Sequence, residues 1–299
     1  MNVLKVSGQV VLTLFTAYAL CACGGGGTTA PQAAGSGKPS SHALATGNEN
    51  GGVPAGYALV WKEEFDGDGL PDSSKWSYDT EMNKAGWYHG ELQYYAAGRL
   101  ENSRLSDGKL IITATKEALT SEPDHGGQAY TSARLITRDK ASWKYGFFEI
   151  RAKLPCGVGT WPAIWMLGTE GESTWPANGE IDIMEQVGKL PTEINATLHM
   201  TAASGNDAFT KQKIVSDACT NFHNYQLTWT EDKLVIGVDN VGYFTYTNPR
   251  EGSDSWPYDK PQYLLLNLAI GGEMAGSIVD DSIFPRQMEV EYVRVYQKQ

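Results

Sequence analysis

Between Trp175 and Gln186 the chain reads Trp-Pro-Ala-Asn-Gly-Glu-Ile-Asp-Ile-Met-Glu-Gln, with carboxylates at Glu180, Asp182 and Glu185. On an extended strand, Glu180 and Asp182 share one face while Ile181 and Ile183 fill the other. Strict alternation would send Glu185 into the core beside the isoleucines, where a lone carboxylate is costly. One extra residue, a β-bulge at Met184, restores the register and turns Glu185 onto the acidic face. Three carboxylates that close cannot all ionise freely, so at least one pKa is expected to rise. A raised pKa is what a general acid working near neutral pH requires. The bare pattern also suits a solvated acidic face or a calcium site. Trp161, Trp165 and Trp175 nearby weigh towards sugar chemistry. A carboxylate pair among tryptophans suits glycoside hydrolysis, one acid attacking or stabilising the sugar, the other protonating the leaving oxygen, and rings holding the chain.

Such a strand needs neighbours, and the rest of the chain supplies β patterns. In Phe148-Glu149-Ile150-Arg151-Ala152-Lys153-Leu154 apolar and charged residues alternate, the period-2 signature of a half-buried strand. Leu110 to Thr115 and Leu234-Ile236-Val238 read likewise. Asp239-Asn240, followed by Gly242 to Tyr246, predicts a hairpin. Tyr263 to Ile270 is nearly all apolar, as a strand buried on both faces would be. Residues 161–166 read as the strand before the acidic one. No stretch carries a convincing helical stripe with caps. Many short strands between Gly/Pro turns predict an all-β fold, two packed antiparallel sheets in a β-sandwich or jelly roll.

The 299 residues divide unevenly. Residues 1–22 read as a secretory signal: Lys5 is the only charge, and the apolar run over 10–20 is too short to span a bilayer. Leu20-Cys21-Ala22-Cys23 resembles a bacterial lipobox with Cys23 as the acylated first mature residue, which predicts an exported, membrane-anchored lipoprotein. Residues 23–55 form a tether; from 24 onward they carry nine Gly, three Pro and two charges, too little apolar surface to offset ordering entropy. Residues 56–299 then make one domain. With 24 Lys+Arg against 35 Asp+Glu, the formal charge is −11, which argues against a nucleic-acid partner. Nine Trp and fifteen Tyr permit carbohydrate binding.

Glu180-Ile181-Asp182-Ile183-Met184-Glu185 is similar to the bulged signature of glycoside hydrolase family 16. The resemblance extends through Glu63-Glu64-Phe65-Asp66-Gly67, Glu91-Leu92-Gln93-Tyr94-Tyr95, Tyr130 to Arg134, Trp143 to Gly146, Trp161-Pro162-Ala163 and Tyr292 to Tyr296. Within the family it looks most like the laminarinases, endo-acting β-1,3-glucanases. The resemblance implies a concanavalin A-like jelly roll with a concave cleft and a retaining double displacement. By position it makes Glu180 the nucleophile, Glu185 the general acid/base, and Asp182 the residue that hydrogen-bonds the nucleophile.

Other matching positions imply sugar contacts. Trp161 and Trp175 are expected as glycone-side platforms, with Trp165 beside them and Arg134 and Asn102 as polar contacts. His199 falls near the leaving-group side, and Glu91, Asn267 and Glu273 along the cleft and its rim. Laminarinases usually carry Asn-Asn before Glu-Leu-Gln-Tyr-Tyr, where this chain has His89-Gly90; a donor–acceptor amide is lost there. The family's structural calcium would fall on Glu64, Gly108 and Glu291, with oxygen donors as a hard cation needs. No cofactor is implied for catalysis, and the five histidines lack zinc spacing. Cys156 and Cys219 are candidates for a disulfide in an exported chain. The expected partner is a β-glucan polysaccharide, met by a monomer. Mixed-linkage glucan or a galactan such as agar or carrageenan is the alternative substrate, and a non-catalytic glycan-binding lipoprotein is the third class.

Overall fold

The structure is a computed structural model that describes residues 52–170 and 174–299. The expected signal segment and Cys23 lie outside the described residues, as does the tether apart from residues 52–55. Among the described residues, no helix is long and apolar enough to cross a membrane.

Two antiparallel sheets carry the domain. One runs, edge to edge, β12 (Phe209–Ile214), β11 (Glu193–His199), β10 (Glu180–Gln186), β9 (Thr160–Gly168), β16 (Gln262–Ile270), β7 (Arg134–Ile136) and β2 (Ser77–Tyr78). The other runs β15 (Val241–Thr247), β14 (Lys233–Val238), β13 (His223–Trp229), β8 (Gly146–Lys153), β17 (Arg286–Lys298), β5 (Lys109–Ala114) and β4 (Ser103–Ser106), with β1 (Tyr57–Glu63) also on β17. A short parallel pair, β3 (Gln93–Tyr95) and β6 (Tyr130–Ser132), flanks them. The only α-helix among the described residues is α1, Gly272–Ala275. The expected all-β sandwich is what forms.

The alternation in sequence becomes the core between the sheets. Phe148, Ile150 and Ala152 of β8 turn inward to meet Ile181, Ile183, Ile194, Ala196 and Leu198 from the first sheet. β16 resolves its apolar run into two functions. Leu264, Leu266, Leu268 and Ile270 enter the core, while Tyr263 and Leu265 cluster with Ile136 and Leu167 on the opposite face, against Trp165. The predicted hairpin joins β14 to β15 through Asp239 and Asn240, both at positive φ (49° and 69°), as the tight two-residue turn demands. Cys156 and Cys219 are joined as a disulfide with Cα atoms 5.8 Å apart.

β10 carries the predicted irregularity. Its register against β11 slips between Asp182 and Glu185, and against β9 between Asp182 and Met184. Ile183 and Met184 are both fully buried in the core, so two consecutive side chains point inward. This bulge turns Glu185 back to the face that Glu180 and Asp182 share.

Candidate active site

The acids lie on the outward face of the first sheet, in the order the strands dictate. β10 holds Glu180, Asp182 and Glu185; β11 sets His199 opposite Glu180 and Thr197 opposite Asp182. On the other flank β9 carries Trp161 and Trp165, with Asn267 on β16 and Arg134 on β7 beyond.

Each glutamate is held by an indole. Trp175 Nε1 donates to Glu180 Oε2 at 2.6 Å. Trp161 Nε1 donates to Glu185 Oε1 at 3.0 Å, and the Thr197 hydroxyl approaches Glu185 Oε2 at 3.5 Å. Asp182 and Glu185 are 3% and 8% exposed, so water does little to stabilise their charged forms. Burial, then the charges of Glu180 and Glu185, pushes the Asp182 carboxyl well above the usual carboxylate range; a hydrogen bond with Glu180 adds to this. Burial and the Glu180 charge push Glu185 up to about 7, against the lowering effect of the Trp161 hydrogen bond. An acid that stays protonated to near neutrality beside a hydrogen-bonded carboxylate can protonate a leaving oxygen while its neighbour attacks.

Behind Trp165 runs a directed hydrogen-bond chain. Trp165 Nε1 donates to Asn267 Oδ1 (2.7 Å), Asn267 Nδ2 to the Tyr95 hydroxyl (3.0 Å), and that hydroxyl to Glu91 Oε2 (3.3 Å). Gln93 Nε2 also donates to Glu91, at 2.6 Å. Burial holds the Glu91 carboxyl above its usual range, although nearby Arg134 opposes the shift. The chain fixes the Trp165 ring from its edge and leaves no partner in it unsatisfied.

Several expected contacts are placed differently. Asn102 is fully buried and spends its amide on Thr113 O (3.1 Å), the Thr131 hydroxyl (2.9 Å) and Arg99 (2.8 Å), so it braces the β4–β5 region and does not reach a sugar. Arg134, 3% exposed, pairs with Asp79 at 2.9 Å and lies between the Trp87 and Trp165 rings, backing Trp165. Trp161 is 8% exposed and packs with Val187, Ala269 and Ala275, which makes it a support for Glu185 and not an open platform. Trp175, 39% exposed, has a ring free to stack. His89 stands on the rim, its Nδ1 3.2 Å from Glu273 Oε2 and its ring 6.2 Å from that of Trp161.

Sequence reasoning missed Thr197 and Tyr258. The alternation Ile194-Ala196-Leu198 inward against Asn195-Thr197-His199 outward could have revealed Thr197. Nothing local marks Tyr258, a fully buried residue whose hydroxyl donates to His199 O at 2.9 Å and lies 3.4 Å from Glu180 O.

Glu64, Gly108 and Glu291 do converge, lining one pocket of about 530 Å³ on the second sheet with Lys62, Asp66, Asp107, Lys109 and Arg294. Arg294 grips both Glu64 oxygens at 2.9 and 2.8 Å, which holds the Glu64 carboxyl below its usual range, and Arg151 takes Glu291 Oε2 at 2.6 Å. A calcium ion takes six to eight oxygens, backbone carbonyls and waters among them; with both carboxylates engaged by arginines, an ion at these positions would draw chiefly on carbonyls and water. With those carboxylates already paired, chelation by EDTA is expected to leave the melting temperature nearly unchanged; a fall restored by calcium would show that the remaining oxygens hold an ion.

Residues 91–294 match the family described as Glycosyl hydrolases family 16. The chain belongs to this family. The Rhodothermus marinus Beta-glucanase is 46% identical over 253 residues, covering 80% of this chain and 85% of that protein. The crystal structure of SCLam, a non-specific endo-β-1,3(4)-glucanase of family 16, superposes with a TM-score of 0.80 at 51% identity, covering 83% of this chain and 94% of that one. The laminarinase from Rhodothermus marinus superposes with a TM-score of 0.75 at 45% identity, covering 81% and 97%. As a family 16 member the protein is a glycoside hydrolase, and the jelly roll with its acid-bearing strand is the family's architecture here.

Proposed function

We propose that this family 16 hydrolase is an endo-acting β-1,3-glucanase that cleaves laminarin-type glucan by a retaining double displacement. The observation that carries the reading is the bulged β10, which puts Glu180 and Glu185 on one face with a separate indole donor on each. Glu180 attacks the anomeric carbon while protonated Glu185 gives its proton to the leaving oxygen. Glu185, now a base, takes a proton from water, and that water releases the sugar from Glu180. No cofactor enters this cycle. Trp175 offers its exposed ring to a sugar face, and the chain of Trp165, Asn267, Tyr95 and Glu91 braces the opposite flank.

Tolerance of mixed β-1,3-1,4 linkages is the second reading. It is favoured by the 51% identity to a non-specific endo-β-1,3(4)-glucanase, a variant of which holds 1,3-β-D-cellobiosyl-glucose at its active site. The enzyme would work as a monomer anchored at the cell envelope through a lipid on Cys23, the tether letting the domain reach a bulky polymer.

Reducing-end release on parallel samples of laminarin, barley β-glucan, agarose and κ-carrageenan tests the reading. Rapid conversion of laminarin into short oligosaccharides is expected. Inactivity on laminarin with cleavage of agarose or κ-carrageenan would overturn the substrate while leaving the two-glutamate chemistry standing.

A further inference from the structure

A carboxyl that gives up a proton and takes one back needs a partner able to accept in one state and donate in the other. The indoles cannot do both, because an indole N–H donates and never accepts. Trp175 therefore suits Glu180, which attacks as a carboxylate, while Trp161 serves Glu185 on one oxygen only, Oε1. When Glu185 is neutral, Oε1 is the carbonyl oxygen that accepts from Trp161, and the hydrogen is on Oε2. The group against Oε2 is the Thr197 hydroxyl, at 3.5 Å. Catalytic hydrogen bonds are often this long before substrate tightens them. A hydroxyl both donates and accepts.

Thr197 is 5% exposed, and its hydroxyl has a second partner. On the edge strand β12, Thr210 is paired with it in register, and the two hydroxyls are 3.1 Å apart, with either able to donate. Thr210 is exposed, so the row Glu185–Thr197–Thr210 runs from a buried carboxyl out to the surface. The bulge completes the row: the register slip after Asp182 turns Glu185 onto the face where Thr197 stands. With Glu185 neutral, the hydrogens point outward, from Oε2 to Thr197 and from Thr197 to Thr210. With Glu185 ionised they point inward, from Thr210 to Thr197 and from Thr197 to Oε2.

We propose that Thr197 and Thr210 are positioning residues, a two-hydroxyl chain that reverses direction as Glu185 loses and regains its proton and so keeps a partner on Oε2 through both halves of the cycle. The assignment rests on the reading of Glu185 as general acid/base. In the first half the Oε2–H bond breaks, the leaving oxygen takes the proton, and the electron pair stays on Oε2, to which Thr197 turns and donates. In the second half water gives a proton to Oε2 and Thr197 turns back. The threonine hydroxyls rotate and pass no proton between them. A chain that ends on an anion is charge-assisted, and its second hydroxyl strengthens the first, so the ionised state gains more than the neutral one.

The carbon-13 resonance of the Glu185 carboxyl, identified by its absence from Glu185→Gln, gives the titration midpoint without substrate. Thr197→Val keeps the branched shape and removes the hydroxyl. It should raise the midpoint by about one pH unit, the worth of a hydrogen bond to a charged group, and Thr197→Ser should restore it. Thr210→Val should raise the midpoint by less and add nothing in the Thr197→Val background. Glu180 and Asp182 on β10, His199 on β11, His89 on the rim and Tyr243 on β15 share the field around Glu185 and are common to all these variants. On laminarin, kcat of Thr197→Val is expected to fall about tenfold, and the alkaline limb of kcat/KM should move up with the midpoint. An unmoved midpoint in folded Thr197→Val would overturn the proposal, as would a serine variant no better than valine, or valine effects that simply add. Inactivity of the wild type on laminarin would count against the substrate, and an alkaline limb that ignores the Glu185 midpoint would count against the acid; the carboxyl titration depends on neither.

Discussion

Replacing Glu185 by glutamine is expected to slow laminarin cleavage by about 10²–10⁴-fold, the usual worth of a positioned general acid. The loss should shrink on a dinitrophenyl glycoside, because that leaving group departs without a proton. Glu180→Ala removes the atom that bonds to the sugar, so its loss should be at least as large and should not shrink with a better leaving group. Added azide separates the two glutamates by stereochemistry. In Glu185→Ala the covalent sugar on Glu180 still forms, and azide attacks it from the open face to give the β-glycosyl azide. In Glu180→Ala azide fills the space left by the missing carboxylate, displaces the leaving group directly and gives the α-glycosyl azide. Crossed products would exchange the two roles; two α products would argue against a double displacement altogether. The indoles sharpen the distinction, since Trp161 holds Glu185 and Trp175 holds Glu180. Each variant deletes one carboxylate while leaving the other with its own donor.

The bulge was legible before any coordinates because its alternative had a high cost. Without it Glu185 would sit among Ile181 and Ile183, and no side chain of that strand could have neutralised it. Period-2 patterns placed β8 and the β14–β15 hairpin for a similar reason: side-chain direction on a strand depends on position alone. What the chain did not disclose was partnership across distance. Trp161, one of three similar tryptophans, differs from Trp175 only because Val187, Ala269 and Ala275 close over it. Asn102 looked like a sugar contact by position, yet Arg99 and Thr131 consume its amide. Arg134 was legible as important but not as enclosed, since Trp87 and Asp79 reach it from elsewhere in the chain. The expected calcium positions carry pairings of the same kind, Arg294 on Glu64 and Arg151 on Glu291. A positional match records a residue type, whereas a ligand or a brace is decided by what packs against it.

Glutamine at 185 should also make the protein more stable, and only above mildly acidic pH. Glu185 has a carboxyl raised from 4.5 in the unfolded chain to about 7 in the fold, chiefly by burial. Its stabilising contribution is therefore intact below about pH 4.5 and is lost as pH rises through 7, because the unfolded chain ionises first. Each pH unit between the two values costs about 1.4 kcal/mol, so by pH 8 the ionisable side chain has cost on the order of 3 kcal/mol. Glutamine removes that cost and keeps the contacts: its carbonyl accepts from Trp161, and its amide donates to the Thr197 hydroxyl. For a domain of this size the difference corresponds to roughly 6–12 °C in melting temperature at pH 8, shrinking to nothing at pH 4. An equal gain at both pH values would assign the effect to packing, and no gain at pH 8 would deny the raised carboxyl. The ionisation that weakens the fold is the one that removes the general acid. Glu180, Asp182 and Glu185 crowd one face, so what titrates is the cluster. The pH at which wild-type melting temperature begins to fall away from that of Glu185→Gln must then lie below the alkaline limb of kcat/KM, which reports the folded acid alone. The width of that interval measures how much stability is given up to keep Glu185 protonated at the pH where the enzyme works.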